Sequence, residues 1–392
     1  MVLSFLARFP FLSMIIVLPL TGCHNRTNIH SFPLLVSEKQ LSVSPSPKAV
    51  IPVYFATNRL YQIDPLDPFG KQRSENISFG LVNVSIPPIH KEGSFEIKSF
   101  NENPVKYFTG TLLKLYPSRQ EFKDSLNMEL RHLHKKKRNL FIFIHGFNND
   151  FSKGIFRTAQ FVYDYNVNAV AVHFSWPALR KITISSYLYD KDSMSFARKD
   201  MADFLTLMTQ TDADEITVVA HSMGSYLLME ALRTLSLQGK TGVISHMDNM
   251  LLAAPDIDID VFKKQLADIK KLPKKTIVQV SSKDRILKLS RGITGGPVRL
   301  GEGSDIDFLR RHGIFVLDMS QVDGGGHTIM FSSPTMISLA KKSYLVHSGL
   351  EDDFLIAPKG VSLSFIQKLV LPIVYAPIHF ISAFVKSRHP AM

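Results

Sequence analysis

The sequence predicts an α/β fold, a mostly parallel central sheet with helices on both faces. Three observations carry this. From Asn139 onward, short apolar runs alternate with segments of helical period. The run Leu140-Phe-Ile-Phe-Ile144 is continuously apolar, as a strand covered on both faces must be. The chemically reactive residues follow the ends of those runs, where ligands gather in parallel sheets.

In chain order, 49–56 (AVIPVYFA) reads as a strand. Segments 80–86 and 95–100 alternate apolar and polar residues and read as further early strands, with another at 107–116. The strand 140–144 is followed by a helix over 152–165 and a strand over 168–174. Helix 193–208 sets Phe196, Met201, Phe204 and Leu205 on one face. Then come strand 215–220, helix 222–237, strand 247–253 and a Lys-rich helix 259–272. Strands 276–281 and 314–319 and a helix 334–346 close the pattern. Such alternation implies a parallel sheet with crossover helices.

Composition bounds the function. The chain has 392 residues, 45% hydrophobic and 20% charged, which is globular and sufficient for one large domain or two. A net charge of +12 allows anionic partners. The basic run 132–138 (HLHKKKR) reads as a solvated loop or a phospholipid-facing patch; no nucleic-acid-binding motif accompanies it, so charge alone assigns no nucleic-acid partner. A single cysteine excludes a disulfide within the chain and zinc sites built on several cysteines. No metal or organic cofactor is expected.

The amino terminus reads as an address. Arg8 precedes an apolar run, 9–20, that is too short to span a membrane and is broken by Pro10 and Pro19. It ends in Leu20-Thr-Gly-Cys23, which resembles a bacterial lipobox. The resemblance implies a signal peptide over 1–22, cleavage before Cys23, and lipid on the Cys23 thiol and its new amino group. It places the protein in the cell envelope, and His24 in place of Asp would direct it to the outer membrane, facing the periplasm, of a diderm. Residues 23–48 are polar and Ser/Pro-rich and read as a flexible linker. The main domain is expected over 49–348, with an apolar extension over 349–392. Within the extension, 365–385 is broken by Pro372 and Pro377 and carries Lys368 and His379. It suits a membrane interface, or packing on the domain, better than a span.

The chemistry starts at Ile216-Thr-Val-Val-Ala-His-Ser222-Met-Gly224. A strand runs into Ser222 and a helix leaves it, which resembles the nucleophile elbow G-x-S-x-G with Ala220 in place of the first glycine. The tight turn needs small flanks, and it aims the Met223 N–H at a substrate oxygen. The bland alternative is that Ser222 caps the helix. A second signal, His145-Gly-Phe-Asn-Asn149, follows the strand 140–144. Acyl transfer needs two preorganised donors for the oxyanion, and the Phe147 N–H is the candidate partner of Met223. His145 is expected to brace that loop. Among later histidines only His327, in Asp323-Gly-Gly-Gly-His327, follows a strand at its carboxyl end, which makes it the candidate base. Asp284, after strand 276–281, is the favoured acid and Asp256, after 247–253, the runner-up. Trp176 and Pro177 either line the site or pack in the core. The Gly-rich stretch 291–303 lacks the P-loop order and reads as a mobile loop or a lip.

Taken together, Tyr54-Phe-Ala-Thr-Asn-Arg59, Phe143-Ile-His-Gly-Phe-Asn148, Phe174-Ser-Trp-Pro177, Tyr189-Asp190, Ala220-His-Ser-Met-Gly224, Ala254-Pro-Asp-Ile-Asp258 and His327 resemble a bacterial family of α/β-hydrolases of unknown function. The resemblance spans about 50–345. It implies an α/β-hydrolase fold and serine-dependent hydrolysis of an ester or related acyl bond, and it identifies no substrate; a small-molecule or lipid acyl substrate is the expected partner. The other class left open is an envelope protein that uses the scaffold only to bind lipid or protein.

Overall fold

The computed structural model describes residues 34–35, 45–64, 67–98, 103–133 and 138–347. The signal-like segment 1–22, Cys23, His24 and the extension 349–392 with its stretch 365–385 lie outside the described residues. Among the described residues no helix is long and apolar enough to cross a membrane.

Among the described residues nine strands form one sheet in the order β3-β2-β1-β5-β4-β6-β7-β8-β9. Of the first three, β1 (Ala49–Tyr61), β2 (Phe69–Ile86) and β3 (Thr109–Tyr116), β2 pairs antiparallel with both of the others. From β1 across β5 (Val170–Ser175), β4 (Asn139–Ile144), β6 (Glu215–His221), β7 (Asn249–Ala253) and β8 (Lys275–Val280) to β9 (Phe315–Asp318), every pairing is parallel. Helices α1 (Arg119–His132), α2 (Phe151–Asp164), α3 (Ile184–Met208), α4 (Met223–Leu237), α5 (Thr241–Ser245) and α6 (Ile259–Asp268) are followed by α7 (Arg285–Thr294), α8 (Ile306–Arg311), α9 (Ile329–Ser332) and α10 (Pro334–His347). Two apolar layers result. Leu140, Ile142 and Ile144 of β4 enter one and Phe141 and Phe143 the other, as the two-residue period of a strand dictates.

After β4 the chain crosses to β5 on one side, then returns to β6 on the other. The carboxyl ends of β4 and β6 therefore flank a topological switch point, where open α/β sheets form a crevice. Ile144 pairs with Ala220, so His145-Gly146 and His221-Ser222 leave the sheet side by side.

Several expectations need correction. Residues 95–98 form no strand: Glu96 is turned to His90, and Phe95 packs on Phe108. Helix α1 was not expected because its outer face is polar. Its signals are Ser118, which accepts from the Glu121 N–H, and a buried stripe at Phe122, Leu126 and Leu130. Helix α3 begins at Ile184, capped by Thr183, rather than at 193. Helix α6 stops at Asp268 rather than 272, ahead of Pro273. Within the segment expected as a linker, Leu34 is buried, its carbonyl accepts from the Gly110 N–H, and Leu35 bridges Gly110 in parallel. The stretch 291–303 is packed rather than a lip. It completes α7, ends it at Gly295 in the left-handed region (φ 61°), then buries Arg299 and forms a 3-10 turn over Leu300–Glu302.

His90 ties the segment after β2 to α2. One ring nitrogen faces Glu96 at 2.7 Å and the other Asp164 at 2.7 Å. Burial alone would lower its pKa, but the hydrogen bonds to Asp164 and Glu96 outweigh that and push it up to about 9. The folded value lies above the unfolded one, so this stabilisation is complete below about pH 6.5. It is lost as the pH rises through about 9. The stability gap between the parent and a His90→Gln variant, measured by urea titration, is expected to shrink by roughly 2–3 kcal/mol between pH 6 and pH 10. A gap independent of pH would show that His90 is not held as an imidazolium.

Candidate active site

Ser222 closes the turn between β6 and α4 with φ 54° and ψ −122°, a conformation that costs a non-glycine residue about 1–3 kcal/mol. It stands at the N-cap position of α4, yet its hydroxyl makes no capping hydrogen bond, so the helix-cap reading does not account for it. Its backbone is fixed on both sides. The Ser222 N–H donates to Ala253 O (2.9 Å), and Ser222 O accepts from the N–H groups of Ser225 and Asp256 (3.0 and 3.2 Å). The small flanks are needed. A Cβ at Gly224 would fall 2.3 Å from His145 O, and one at Gly146 would fall 2.8 Å from Ser222 Cβ. Both glycines let the β4 loop lie against the elbow.

That loop is held from behind. Asn149 Nδ2 donates to Gly146 O and Phe147 O (3.1 and 2.9 Å), which turns the two carbonyls inward. Asn148 adopts φ 57°, and its N–H reaches Asp190 Oδ2 at 3.4 Å. Asp190 also accepts from Leu179 N–H at 2.7 Å. Burial pushes the Asp190 carboxyl up to about 7 despite those two bonds. The N–H groups of Phe147 and Met223 have no acceptor among the described residues. They remain available to a substrate oxygen.

His145 braces the loop. Its ring stacks on Trp176 at 5.0 Å between centroids, and its nitrogens face Gly146 O (2.9 Å) and Trp176 O (3.1 Å). Burial, then the charge of Arg59, holds it well below the ordinary imidazole range, so it is neutral. Trp176 is wholly buried and donates from Nε1 to His145 O (2.8 Å); of its two possible roles it takes the core one. Arg59 is the residue whose role sequence reasoning missed. Buried at the end of β1, it donates to Gly70 O, Ala178 O, Asn149 O and Ser175 Oγ. Burial lowers its pKa to about 10, against the opposing charges of Asp150 and Asp67, so it remains a cation at neutral pH.

His327 follows β9 on the loop leading to α9. Its Nδ1 lies 2.7 Å from Asp284 Oδ2. The other oxygen of Asp284 accepts from the N–H groups of Ile286 and Leu287 (2.9 and 3.0 Å), so this carboxylate caps α7 and orients His327 at once. Asp256, the runner-up acid, is engaged elsewhere. It accepts from Ser290 Oγ (2.7 Å) and Tyr187 Oη (3.1 Å) and lies 3.3 Å from Arg299 Nε. His221, the unspecified position of the elbow motif, was also missed: its Nε2 donates to His327 O (3.1 Å). Burial, then the neighbouring His327, keeps the His221 ring neutral. No hydrogen bond joins Ser222 Oγ to His327; the two residues are connected through His221. Such contacts often tighten only when substrate binds. An open cleft of about 570 Å³ lies beside His327, walled by Lys283, Arg285, Ile286 and Lys288 and by Gly324 and Gly326. Among the described residues no group of His, Cys, Asp and Glu is arranged to hold a metal ion.

The strain at Ser222 is testable without any substrate. Glycine usually destabilises a folded position by about 0.5–1 kcal/mol relative to alanine. Here Ser222→Gly is expected to be more stable than Ser222→Ala by about 1 kcal/mol, because it alone relaxes the φ of 54°. Equal or reversed denaturant midpoints would contradict a strained elbow.

A family model described as an alpha/beta hydrolase of unknown function (DUF900) matches residues 118–342. No curated protein sequence matches the chain. Among solved structures, an esterase from Rhizomucor miehei is 13% identical over 80% of this chain and 88% of its own, with a TM-score of 0.33. The Pyrococcus horikoshii acylaminoacyl peptidase is 12% identical over 82% of this chain and 44% of its own, with a TM-score of 0.35. The ydeN gene product of B. subtilis is 14% identical over 53% of this chain and 99% of its own, with a TM-score of 0.27. Superpositions this loose carry no argument. The family match spans more than half of the chain and contains the elbow, the β4 loop, Asp284 and His327. The chain belongs to this family of α/β-hydrolases.

Proposed function

We propose that the chain is a serine hydrolase that cleaves an ester or related acyl bond through an acyl-enzyme. The observation that carries the reading is the Asp284–His327 hydrogen bond, held at the carboxyl end of the sheet beside a strained serine whose hydroxyl caps nothing. In this mechanism Ser222 Oγ attacks the acyl carbon and its proton passes to His327 Nε2. Asp284 keeps the other ring nitrogen protonated and stabilises the imidazolium. The carbonyl oxygen gathers negative charge against the Phe147 and Met223 N–H groups. When the carbonyl re-forms, the bond to the leaving group breaks, and that group takes the proton from His327. Water, deprotonated by the same imidazole, then attacks the acyl-Ser222 carbon, and Ser222 leaves with the proton returned to it. No cofactor enters any step. The natural setting we infer is the cell envelope, through the lipobox-like sequence ending in Cys23.

Incubation with a fluorophosphonate probe is expected to label Ser222 in the parent and nothing in Ser222→Ala. A folded parent that does not react would favour a scaffold that only binds. Asp284→Asn keeps a capping oxygen for α7 but no longer holds the ring in the right tautomer. It is expected to lower kcat/KM on a short-chain ester by about 10³–10⁴-fold with little loss of stability. If activity survives, Asp284 is only a cap. A Cys23→Ser variant expressed in a bacterial host is expected to lose labelling by radioactive fatty acid; retained labelling would overturn the anchor.

A further inference from the structure

Cations and large apolar side chains stand together in the open around the cleft beside His327. Lys283, Arg285 and Lys288 are exposed, and all three wall the cleft beside His327. None of them lies within ion-pairing distance of a carboxylate among the described residues; Lys283 reaches only Gln321 Oε1, at 3.1 Å. Beside them Ile286 is 49% exposed and Leu289 54%. Helix α7 already buries Leu287 and Ser290 on its inner side, so these two apolar residues have no place in the core.

The pattern continues on the neighbouring helix. Tyr187 Oη and Ser290 Oγ both donate to Asp256 and lie 2.9 Å apart in the interior, which holds α3 beside α7. Next to Tyr187, Ile184 (62% exposed) and Leu188 (55%) stand one turn apart on α3. Ile182, 75% exposed, and the exposed Lys181 precede them.

We propose that this face docks on an anionic lipid bilayer. Lys283, Arg285 and Lys288 meet the headgroup phosphates, and Ile286, Leu289, Ile184 and Leu188 enter the headgroup–acyl boundary. Nucleic acid or an acidic protein would satisfy the cations and leave the isoleucines and leucines in water. An apolar protein partner would bury unpaired cations. Only a charged interface with hydrocarbon beneath it answers both residue classes. The docking rests on this surface alone. A corollary, that the acyl bond cleaved belongs to an amphiphile presented at the same surface, also rests on the serine-hydrolase reading. Fluorophosphonate labelling tests that reading separately.

The single cysteine makes a local probe simple. The full chain carrying Cys23→Ser and Leu289→Cys has one thiol, which takes an environment-sensitive fluorophore. With vesicles of phosphatidylglycerol and phosphatidylcholine, the label is expected to shift to the blue and to be quenched by spin-labelled acyl chains. With phosphatidylcholine alone it should do neither. Lys283→Glu/Lys288→Glu in the same background, its fold checked by thermal unfolding, is expected to bind anionic vesicles at least about tenfold more weakly. Salt of about 0.5 M should weaken the parent similarly. A label at Leu237→Cys marks the far end of α4, about 22 Å of helix from Ser222. It should remain in water. The proposal fails if the 289 label stays in water on vesicle-bound protein, if both labels respond alike, or if charge reversal changes nothing. It fails equally if the 289 label answers a DNA duplex or polyglutamate and not anionic vesicles.

Discussion

The site depends on how closely two pieces of backbone approach. Strands β4 and β6 are neighbours, and their last paired residues, Ile144 and Ala220, release two turns into the same space. Those turns fit only because Gly146 and Gly224 carry no Cβ. The elbow then places Ser222 against the loop that bears the Phe147 N–H. The surrounding architecture serves this contact. Arg59 and His145 hold the loop from below, Trp176 closes over His145, and Asn149 fixes the direction of its carbonyls. A buried cation is costly to desolvate, and Arg59 is tolerated because backbone oxygens and nearby carboxylates surround it.

The histidine side of the site is fixed by a different device. His327 sits on a long loop, which by itself would order poorly. It is fastened at several points: Asp284 at the ring, His221 at its own carbonyl, and Ser281 Oγ at Gly325 O. Beyond it, Tyr165 and Gln160 of the α2 region hold the Met330 and Phe331 carbonyls. Gln160 also bonds Asp164, the partner of His90, so the buried imidazolium after β2 and the loop that carries His327 share one polar network.

What was legible in the sequence was what is local or follows from chain order. The apolar run of β4, the small residues around Ser222, and the order Ser222, Asp284, His327 each point to a strand end within a few residues. Asp284 rather than Asp256 meets His327 because only Asp284 leaves the strand adjacent to β9, from which His327 follows. What was not legible is long-range. Arg59 lies 90 positions from the carbonyl of Asn149. Nothing in the motif A-H-S-M-G says that its histidine will bond the loop of His327, 106 positions on. Helix α1 was hidden by its polar outer face, although Ser118 and Glu121 mark its start. Residues 95–98 alternate like a strand, but Glu96 is taken by His90 before any ladder forms.

The short docking of Leu34 and Leu35 on Gly110 has one more consequence. Strand β3 is an outer strand of the sheet, and Leu112 and Leu115 on it are partly exposed. A long apolar edge of this kind is a template for pairing with another molecule, and natural sheets blunt it. Here the chain occupies part of that edge with its own upstream segment, one backbone hydrogen bond and one buried leucine deep. Residues 34–35 therefore guard a sheet edge: removing them would bare the start of β3 and favour edge-to-edge aggregation while leaving the residues around Ser222 in place.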